Sequence, residues 1–189
     1  MSSEIKVITG KETRWNYLHA WVPYSYKGGP AKYSVQLIIP KTDKVTLAKI
    51  KVAINTAYDE GAEKLRGGSD AVPARDKIST PLIDGDERYP NNPIYADTYF
   101  INAYSSTPPG IVDTEGKNIT DRSLVYSGCY GRASISFTAY NNNRIGIHCE
   151  LNHLQKIADG EHLGEKTVTK ADAAADFALA DDDDELLPF

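Results

Sequence analysis

The chain has 189 residues, and its 41% hydrophobic and 25% charged content is the balance of a globular domain, not of a disordered, collagen-like or membrane-spanning chain. The formal charge of −5 is unevenly distributed along the chain, because residues 171–189 hold seven acids and no base. Residues 1–170 contain the other 19 acids and all 21 Lys and Arg residues, so this part of the chain is mildly basic. Two cysteines make no disulfide framework, and no export signal is recognisable, so we expect a reducing cytoplasm.

The first predicted element is a long β-hairpin. Residues 14–22 are rich in strand-favouring aromatics and should end at Pro23. A turn is predicted at Lys27-Gly28-Gly29-Pro30, and residues 31–39 then alternate as a second strand. Period-two alternation predicts two shared faces: Trp15, Tyr17, His19 and Trp21 in the first strand, and Tyr33, Val35, Leu37 and Ile39 in the second.

A single helix is predicted next, over residues 43–66. Thr42 or Asp43 can cap its start, and Gly67-Gly68 should end it. Residues 67–96 are rich in Gly, Pro, Asp and Asn, which predicts a long irregular excursion. A loop of that length in a compact domain is usually functional or mobile.

Three further strands are predicted, over residues 97–104, 129–140 and 144–152, and an Asn-rich turn at 141–143 joins the last two. The second of them has a clear apolar face: Ala133, Ile135, Phe137 and Ala139. Five strands, one helix and no strand-helix alternation favour a mainly β fold. We expect an OB-fold-like antiparallel barrel with one added helix (about 43–66) over residues 1–165, and a disordered acidic tail over residues 166–189.

The tail ends in a run of acids followed directly by an apolar tip. Charge alone would give solubility, but a terminal aromatic beside a charge run suits a peptide that docks its ring in a pocket and its acids on a basic rim. We therefore predict partner binding by the tip, with simple solubilisation as the alternative. The residues concerned are Asp181, Asp182, Asp183, Asp184, Glu185, Leu186, Leu187, Pro188 and Phe189.

Aromatic and basic residues are neighbours at several positions of the body. Single-stranded nucleic acid stacks its bases on rings, for about 1–3 kcal/mol each, and pairs its phosphates with Lys and Arg. The alternative is that strand aromatics fill the core, which we favour for Trp15, Tyr33 and Tyr99. The predicted binding residues are Arg14, Tyr24, Tyr26, Lys27, Lys32, Arg88, Tyr89, Arg122, Tyr126, Tyr130, Arg132 and Tyr140.

Asp84, Asp86 and Glu87 raise an enzymatic alternative, because carboxylates of this kind can bind Mg²⁺ for a nuclease. The Asp-Gly-Asp segment between prolines is also a common turn composition, and we favour the turn. The His and Cys residues match no zinc spacing, and no phosphate-cradling loop is present. We expect no catalytic residue, no metal and no cofactor.

Several strings together resemble a family of tailed-phage proteins that was long catalogued as a domain of unknown function. That family is associated with phage-encoded single-stranded DNA-binding proteins. The resemblance covers about residues 5–165 and is carried by these strings: Gly28-Gly29-Pro30-Ala31-Lys32-Tyr33-Ser34-Val35-Gln36-Leu37-Ile38-Ile39-Pro40-Lys41, Pro81-Leu82-Ile83-Asp84-Gly85-Asp86, Tyr99-Phe100-Ile101-Asn102-Ala103, Pro109-Gly110-Ile111-Val112-Asp113, Tyr126-Ser127-Gly128-Cys129-Tyr130-Gly131-Arg132-Ala133 and Leu151-Asn152-His153-Leu154-Gln155-Lys156.

The resemblance implies an OB fold that binds single-stranded DNA without sequence specificity and without catalysis. It implies a role in phage replication or recombination in the bacterial host cytoplasm, with replication or recombination proteins as partners. The chain end is similar to the acidic tips of bacterial and phage single-stranded DNA-binding proteins, although Leu186-Leu187 intervenes before Pro188-Phe189. A homo-oligomer, a metal-dependent nuclease and a non-catalytic adaptor with a DNA-mimicking tail stay open as alternatives.

Overall fold

A computed structural model describes residues 5–164 of the chain. The predicted disorder of residues 166–189 and the predicted docking tip at 181–189 therefore lie outside the described residues. Within them, no helix is long and apolar enough to cross a bilayer. The elements are β1 (Val7–Ile8), β2 (Arg14–Tyr24), β3 (Lys32–Pro40), α1 (Lys44–Glu60), α2 (Ala62–Arg66), β4 (Leu82–Asp84), α3 (Gly85–Arg88), β5 (Thr98–Ser105), β6 (Gly110–Val112), β7 (Tyr130–Asn141) and β8 (Ile145–Ala158), with 3₁₀ turns at Arg75–Lys77 and Arg122–Leu124.

Five strands close into a barrel, in the order β2, β3, β5, β8, β7. The ring is completed where β7 returns to β2 at the pair Arg14 and Tyr130. The pairings are antiparallel except between β5 and β8, which run parallel where Ala103 faces Cys149. A five-stranded Greek-key barrel is the OB architecture, so the mainly β, OB-like prediction is confirmed. The parallel β5 and β8 pair is the departure from a purely antiparallel barrel.

The barrel interior follows the predicted alternation along β7. Ala133, Ile135, Phe137 and Ala139 are all buried in one hydrophobic core. Trp15 is fully buried, as expected, and its ring lies against Gly131, where an added Cβ would come within 2.2 Å of the Trp15 ring. The close contact between β2 and β7 therefore depends on a glycine at that position.

The predicted face of β2 is wrong, because a bulge interrupts the strand. The register shifts between Asn16 and His19, and Tyr17 has a left-handed φ of 44°. The extra residue turns Tyr17 outward, where it is 62% exposed, while Trp15 stays inside. The predicted stop at Pro23 is also wrong. The strand continues to Tyr24 through a second register shift, where proline is tolerated because the regular ladder is interrupted.

The predicted single helix is wrong at Gly61, where it divides into α1 and α2. The Asp43 side chain accepts from the Thr46 N–H at 3.2 Å and so caps α1. At Gly61 an added Cβ would lie 2.3 Å from the Ala139 side chain, so the close approach to β7 requires glycine and redirects the chain. Gly67, in the left-handed region, ends α2 as expected.

The excursion at 67–96 is largely irregular, as predicted, but β4 and α3 lie within it. Its later part, residues 85–97, lies over the outer face of β3 and β5. There Tyr95 packs with Ile38 and Phe100 in a second buried cluster outside the barrel. Outward-facing residues of these strands are thus buried at one end, which leaves the other end as the open part of the face.

Candidate nucleic-acid interface

The open part of the outer face is built by cross-strand neighbours of β2, β3 and β5. His19 is paired with Ser34, which is paired in turn with Tyr104. One step further, Tyr24 on β2 faces Lys32 on β3. Because paired residues of neighbouring strands point to the same side of a sheet, these side chains share one surface. Two rings, a histidine and a lysine are thereby placed together by strand pairing.

This surface continues into an open groove of about 660 Å³. Tyr104 is paired with Glu150 on β8, and Glu150 with Ser136 on β7, so the groove crosses to the second hairpin of the barrel. Its lining includes Lys6, Lys32, Tyr104, Tyr140, Asn142, His148, Glu150, Asn152 and His153. The groove lies between the β2–β3 and β7–β8 connections, which is the region that OB folds use for oligonucleotides.

The end of β2 and the β2–β3 connection each present one exposed tyrosine. The Tyr24 ring is 52% exposed and stacks on His19, with centroids 4.7 Å apart and planes at 16°. The Tyr26 ring is 69% exposed, and the Lys27 Nζ lies 5.3 Å from its centroid. The turn places Lys27 and Gly28 at positive φ. Exposed rings beside cations are the groups that stack bases and pair phosphates.

Burial sets the ionisation of two groups on this surface. Desolvation lowers the pKa of His19, so its ring is neutral at pH 7 and acts as an aromatic surface rather than a cation. Desolvation also raises the pKa of Tyr104, so its hydroxyl stays protonated and can donate a hydrogen bond. The positive charge of this surface therefore comes from lysine side chains.

Arg14, Tyr126 and Tyr130 form a different cluster, at the seam between β2 and β7. The Arg14 guanidinium donates to the Gly128 carbonyl at 3.2 Å and the Glu161 carbonyl at 2.6 Å. Its carbon lies 5.4 Å from the Tyr130 ring centroid. The Tyr126 ring stacks on His162 at 3.8 Å, and its hydroxyl donates to the Gly160 carbonyl at 3.0 Å. These three residues anchor the chain at 159–162.

The other predicted residues are dispersed. Arg122 lies 5.9 Å from the Trp21 ring, whose Nε1 donates to the Val125 carbonyl. Arg132 is half-buried on β7, and its buried Nε has no acceptor among the described residues. On the excursion, Tyr89 packs on Tyr95 at 4.5 Å, with Arg88 5.9 Å from its ring. Lys32 and Tyr140 thus line the groove, Tyr24 faces Lys32, and Tyr26 and Lys27 lie in the loop that follows Tyr24. The other seven predicted residues lie elsewhere.

Two of the carboxylates considered for a nuclease, those of Asp84 and Asp86, accept hydrogen bonds from a lysine. The Lys41 Nζ donates to both Asp84 oxygens at 3.0 Å and to Asp86 Oδ2 at 2.7 Å. These bonds hold the pKa of Asp84 and of Asp86 below the usual range and raise that of Lys41. Asp84 also accepts from the backbone N–H of Glu87 and so caps α3. Between residues 5 and 164 no group of three acidic, His or Cys side chains is placed for a metal ion.

Sequence reasoning missed four residues of this surface: Tyr17 and Tyr104 are exposed, His148 lines the groove, and the half-buried His19 supports the Tyr24 ring. Tyr104 could have been found, because it follows Phe100 and Asn102 on the outward phase of β5. The positions of Tyr17 and His19 could not have been found, since the bulge between Asn16 and His19 reverses the phase of β2. His148 has no local signal for a place on this surface, because its position beside Thr138 depends on the pairing of β7 with β8.

Comparison with known proteins finds several to which this chain is similar. The protein p50 of Acyrthosiphon pisum secondary endosymbiont phage 1 is 26% identical over 162 residues, which are 82% of this chain and 85% of p50. The single-stranded DNA-binding protein of bacteriophage Enc34, solved in complex with ssDNA, is 24% identical with a TM-score of 0.68 over 86% of this chain and 90% of that one. The single-stranded DNA binding protein gp2.5 of bacteriophage T7 is 17% identical with a TM-score of 0.61 over 92% and 94%.

The two solved structures establish the shared fold. The family described as Enterobacter phage Enc34, ssDNA-binding protein, matches residues 5–187, nearly the whole chain. The resemblance found in the sequence strings is thereby confirmed. The chain belongs to the family of the Enterobacter phage Enc34 ssDNA-binding protein.

Proposed function

We propose that this protein binds single-stranded DNA, without sequence specificity, along the groove and the β2–β3 connection. The observation that carries the proposal is the exposed pair Tyr24 and Tyr26, with Lys27 and Lys32, on an OB barrel of this family. A relative of the same fold, from bacteriophage Enc34, was solved in complex with ssDNA, which supports this class of ligand.

In this mechanism Tyr24, Tyr26 and Tyr140 stack bases, and Lys27 and Lys32 pair with phosphates. Binding covers the strand and breaks no bond. The remaining predicted residues are peripheral candidates, which act by shaping the barrel or extending the DNA path: Arg14, Arg88, Tyr89, Arg122, Tyr126, Tyr130 and Arg132. Since Lys41 occupies the carboxylates of Asp84 and Asp86, we propose no nuclease activity.

The wider role follows the family. We propose that residues 1–165 coat single-stranded DNA during phage replication or recombination in the host cytoplasm. The tail at 166–189 would recruit replication or recombination proteins through its tip. A deletion of residues 186–189 keeps all the acids, so it separates the two parts of the tail. It should abolish co-purification of those proteins without weakening DNA binding, and unchanged co-purification would contradict the docking role.

The first test is a titration of labelled oligo-dT by the full chain, with and without Mg²⁺ and over a range of salt. We expect intact, retarded DNA, single strands that outcompete duplex, and an affinity that falls with log[salt] at roughly 0.7 per phosphate neutralised. Shortened DNA with Mg²⁺ would indicate a nuclease instead. Binding that ignores salt or favours duplex would contradict the proposal.

A matched pair of lysine variants tests whether the DNA strand runs along the groove. Lys32 lines the groove, whereas Lys49 is exposed on α1 and does not line it. Lys32→Ala should lower affinity and reduce the salt slope by about 0.7, the loss of one phosphate contact. Lys49→Ala removes the same charge and should leave the slope unchanged. Equal slopes for the two variants would place the strand outside the groove.

A further inference from the structure

Glu150 is an unexpected residue in a groove for a polyanion. It is the one acidic residue in the described lining of the groove, and its side chain is 42% exposed. Its place on the surface is fixed by strand pairing, beside Tyr104 on β5 and Ser136 on β7. A carboxylate at this position repels phosphates, so the DNA backbone has to run along the lysines at the groove margin and not over Glu150.

A histidine orients this carboxylate. His148 Nε2 lies 3.2 Å from Glu150 Oε1, and its ring nitrogens also lie within 3.4 Å of the Thr138 hydroxyl. A carboxylate only accepts hydrogen bonds, so the His148 Nε2 carries the hydrogen in this contact. The bond engages Oε1 and leaves acceptor capacity on the carboxylate. The group is therefore a positioned acceptor, held in place before any ligand arrives.

The parts of single-stranded DNA that can satisfy this acceptor are the base edges. Unpaired bases expose their Watson–Crick edges, which proteins read by hydrogen bonding. Guanine presents two adjacent donors, cytosine and adenine present an amino group, and thymine presents one imino N–H flanked by two carbonyl oxygens that repel a carboxylate. A stacked base on Tyr104 or Tyr140, which line the same groove, would bring its edge toward this region.

We propose that Glu150 gives the groove a base preference, for guanine and other amino-bearing bases over thymine at the position it contacts. The inference rests on the proposed function, since it requires that single-stranded DNA occupies the groove. It refines that function: binding tolerates every base, because stacking does, but its strength depends on sequence at one point. Oligo-dT is then a weaker ligand than strands of mixed sequence.

The test compares labelled oligo-dT with an oligonucleotide of alternating thymine and guanine, which avoids the self-association of guanine runs. The full wild-type chain should bind the alternating strand about fivefold more tightly or better, the lower end of what one specific base contact supplies. Glu150→Gln should bring the ratio close to one, chiefly by tightening oligo-dT binding, because it removes the negative charge. Equal affinities in the wild type, or a ratio that survives Glu150→Gln, would overturn the inference.

Glu115→Gln is the matched control. Glu115 is exposed, pairs with Lys117 at 3.1 Å and does not line the groove, so the variant removes the same charge elsewhere. Its base preference should equal that of the wild type, and a ratio lowered as much as by Glu150→Gln would assign the effect to net charge and overturn the proposal. If the wild type binds neither oligonucleotide, the proposed function itself fails, whereas binding without preference removes only this inference.

Discussion

The two ends of the outer face of β3 and β5 differ in what lies on them. At one end, residues 85–97 cover Ile38 and Phe100, and Tyr95 completes a buried cluster. At the other end, Lys32 and Tyr104 line an open groove. The same strands, with the same outward phase, therefore carry a second small core at one end and an exposed polar and aromatic surface at the other.

The contrast shows that an aromatic residue beside a basic one is not by itself a binding site. Tyr89 has Arg88 near its ring, as Tyr26 has Lys27, but Tyr89 also packs on Tyr95 and belongs to the covered end. What separates them is exposure, which is 39% for Tyr89 and 69% for Tyr26. Variants at the covered end should change stability, and variants at the open end should change DNA binding.

The largest expected effect is at the centre of the covered end. Phe100 is 2% exposed, and Phe100→Ala should destabilise the protein by about 3–5 kcal/mol, through lost burial and the cavity left behind. Urea unfolding measures the change. Oligo-dT affinity, measured on the folded fraction, should stay near that of the wild type. A variant of normal stability that binds DNA poorly would mean that DNA reaches beneath residues 85–97.

At the open end, Tyr26→Ala should weaken oligo-dT binding by about 1–3 kcal/mol, the usual cost of one lost stacking ring. The midpoint of unfolding should not move, since the ring is largely exposed. Tyr26→Phe keeps the ring and is the control, with expected affinity close to wild type. A loss as large for Tyr26→Phe would assign the effect to the hydroxyl group instead of to stacking.

A smaller effect is expected from removing the buried hydroxyl group of Tyr95. The Tyr95 hydroxyl donates to Gln36 Oε1 at 2.6 Å and accepts from Asn16 Nδ2 at 3.3 Å. Tyr95→Phe removes that donor, but Asn16 Nδ2 also reaches Gln36 Oε1 at 3.4 Å, so the loss should be about 1 kcal/mol. Urea unfolding again reports it. A loss equal to that of Phe100→Ala would show that the polar network, and not the apolar contacts, holds residues 85–97 in place.

The smallest effect is expected from the ion pairs of Lys41 with Asp84 and Asp86, at the start of residues 85–97. Because their pKa values are lowered in the fold, the two carboxylates stabilise it at neutral pH, and this contribution is lost as the pH falls below about 4. Lys41→Met should therefore melt slightly below wild type at pH 7, and the difference should shrink as the pH falls below about 4. A difference that persists in acid would contradict an ionic origin.

Local sequence patterns predicted most helices, strands and turns. Non-local contacts determined where the helix divides and which candidate binding residues are exposed. The turn at Lys27-Gly28 and the Asp43 cap are set by neighbouring residues, and both were predictable. The division at Gly61 depends on Ala139, far along the chain, because an isolated glycine is otherwise tolerated within a helix. The binding residues divide in the same way: Tyr26 projects from a turn, whereas the setting of Tyr89 depends on packing against Tyr95, which the sequence does not reveal.

The parallel pairing of β8 with β5 has a consequence for how the protein is made. The chain leaves the ribosome from its N-terminus, so β2, β3 and β5 emerge long before Ile145–Ala158, the strand that joins β5 to β7. Until then the barrel is an open sheet with unpaired edges, which other nascent chains can pair with. Closure by a late, non-local strand is also a slow folding step. The chain therefore passes most of its synthesis with the edges of β5 and β7 unpaired by β8.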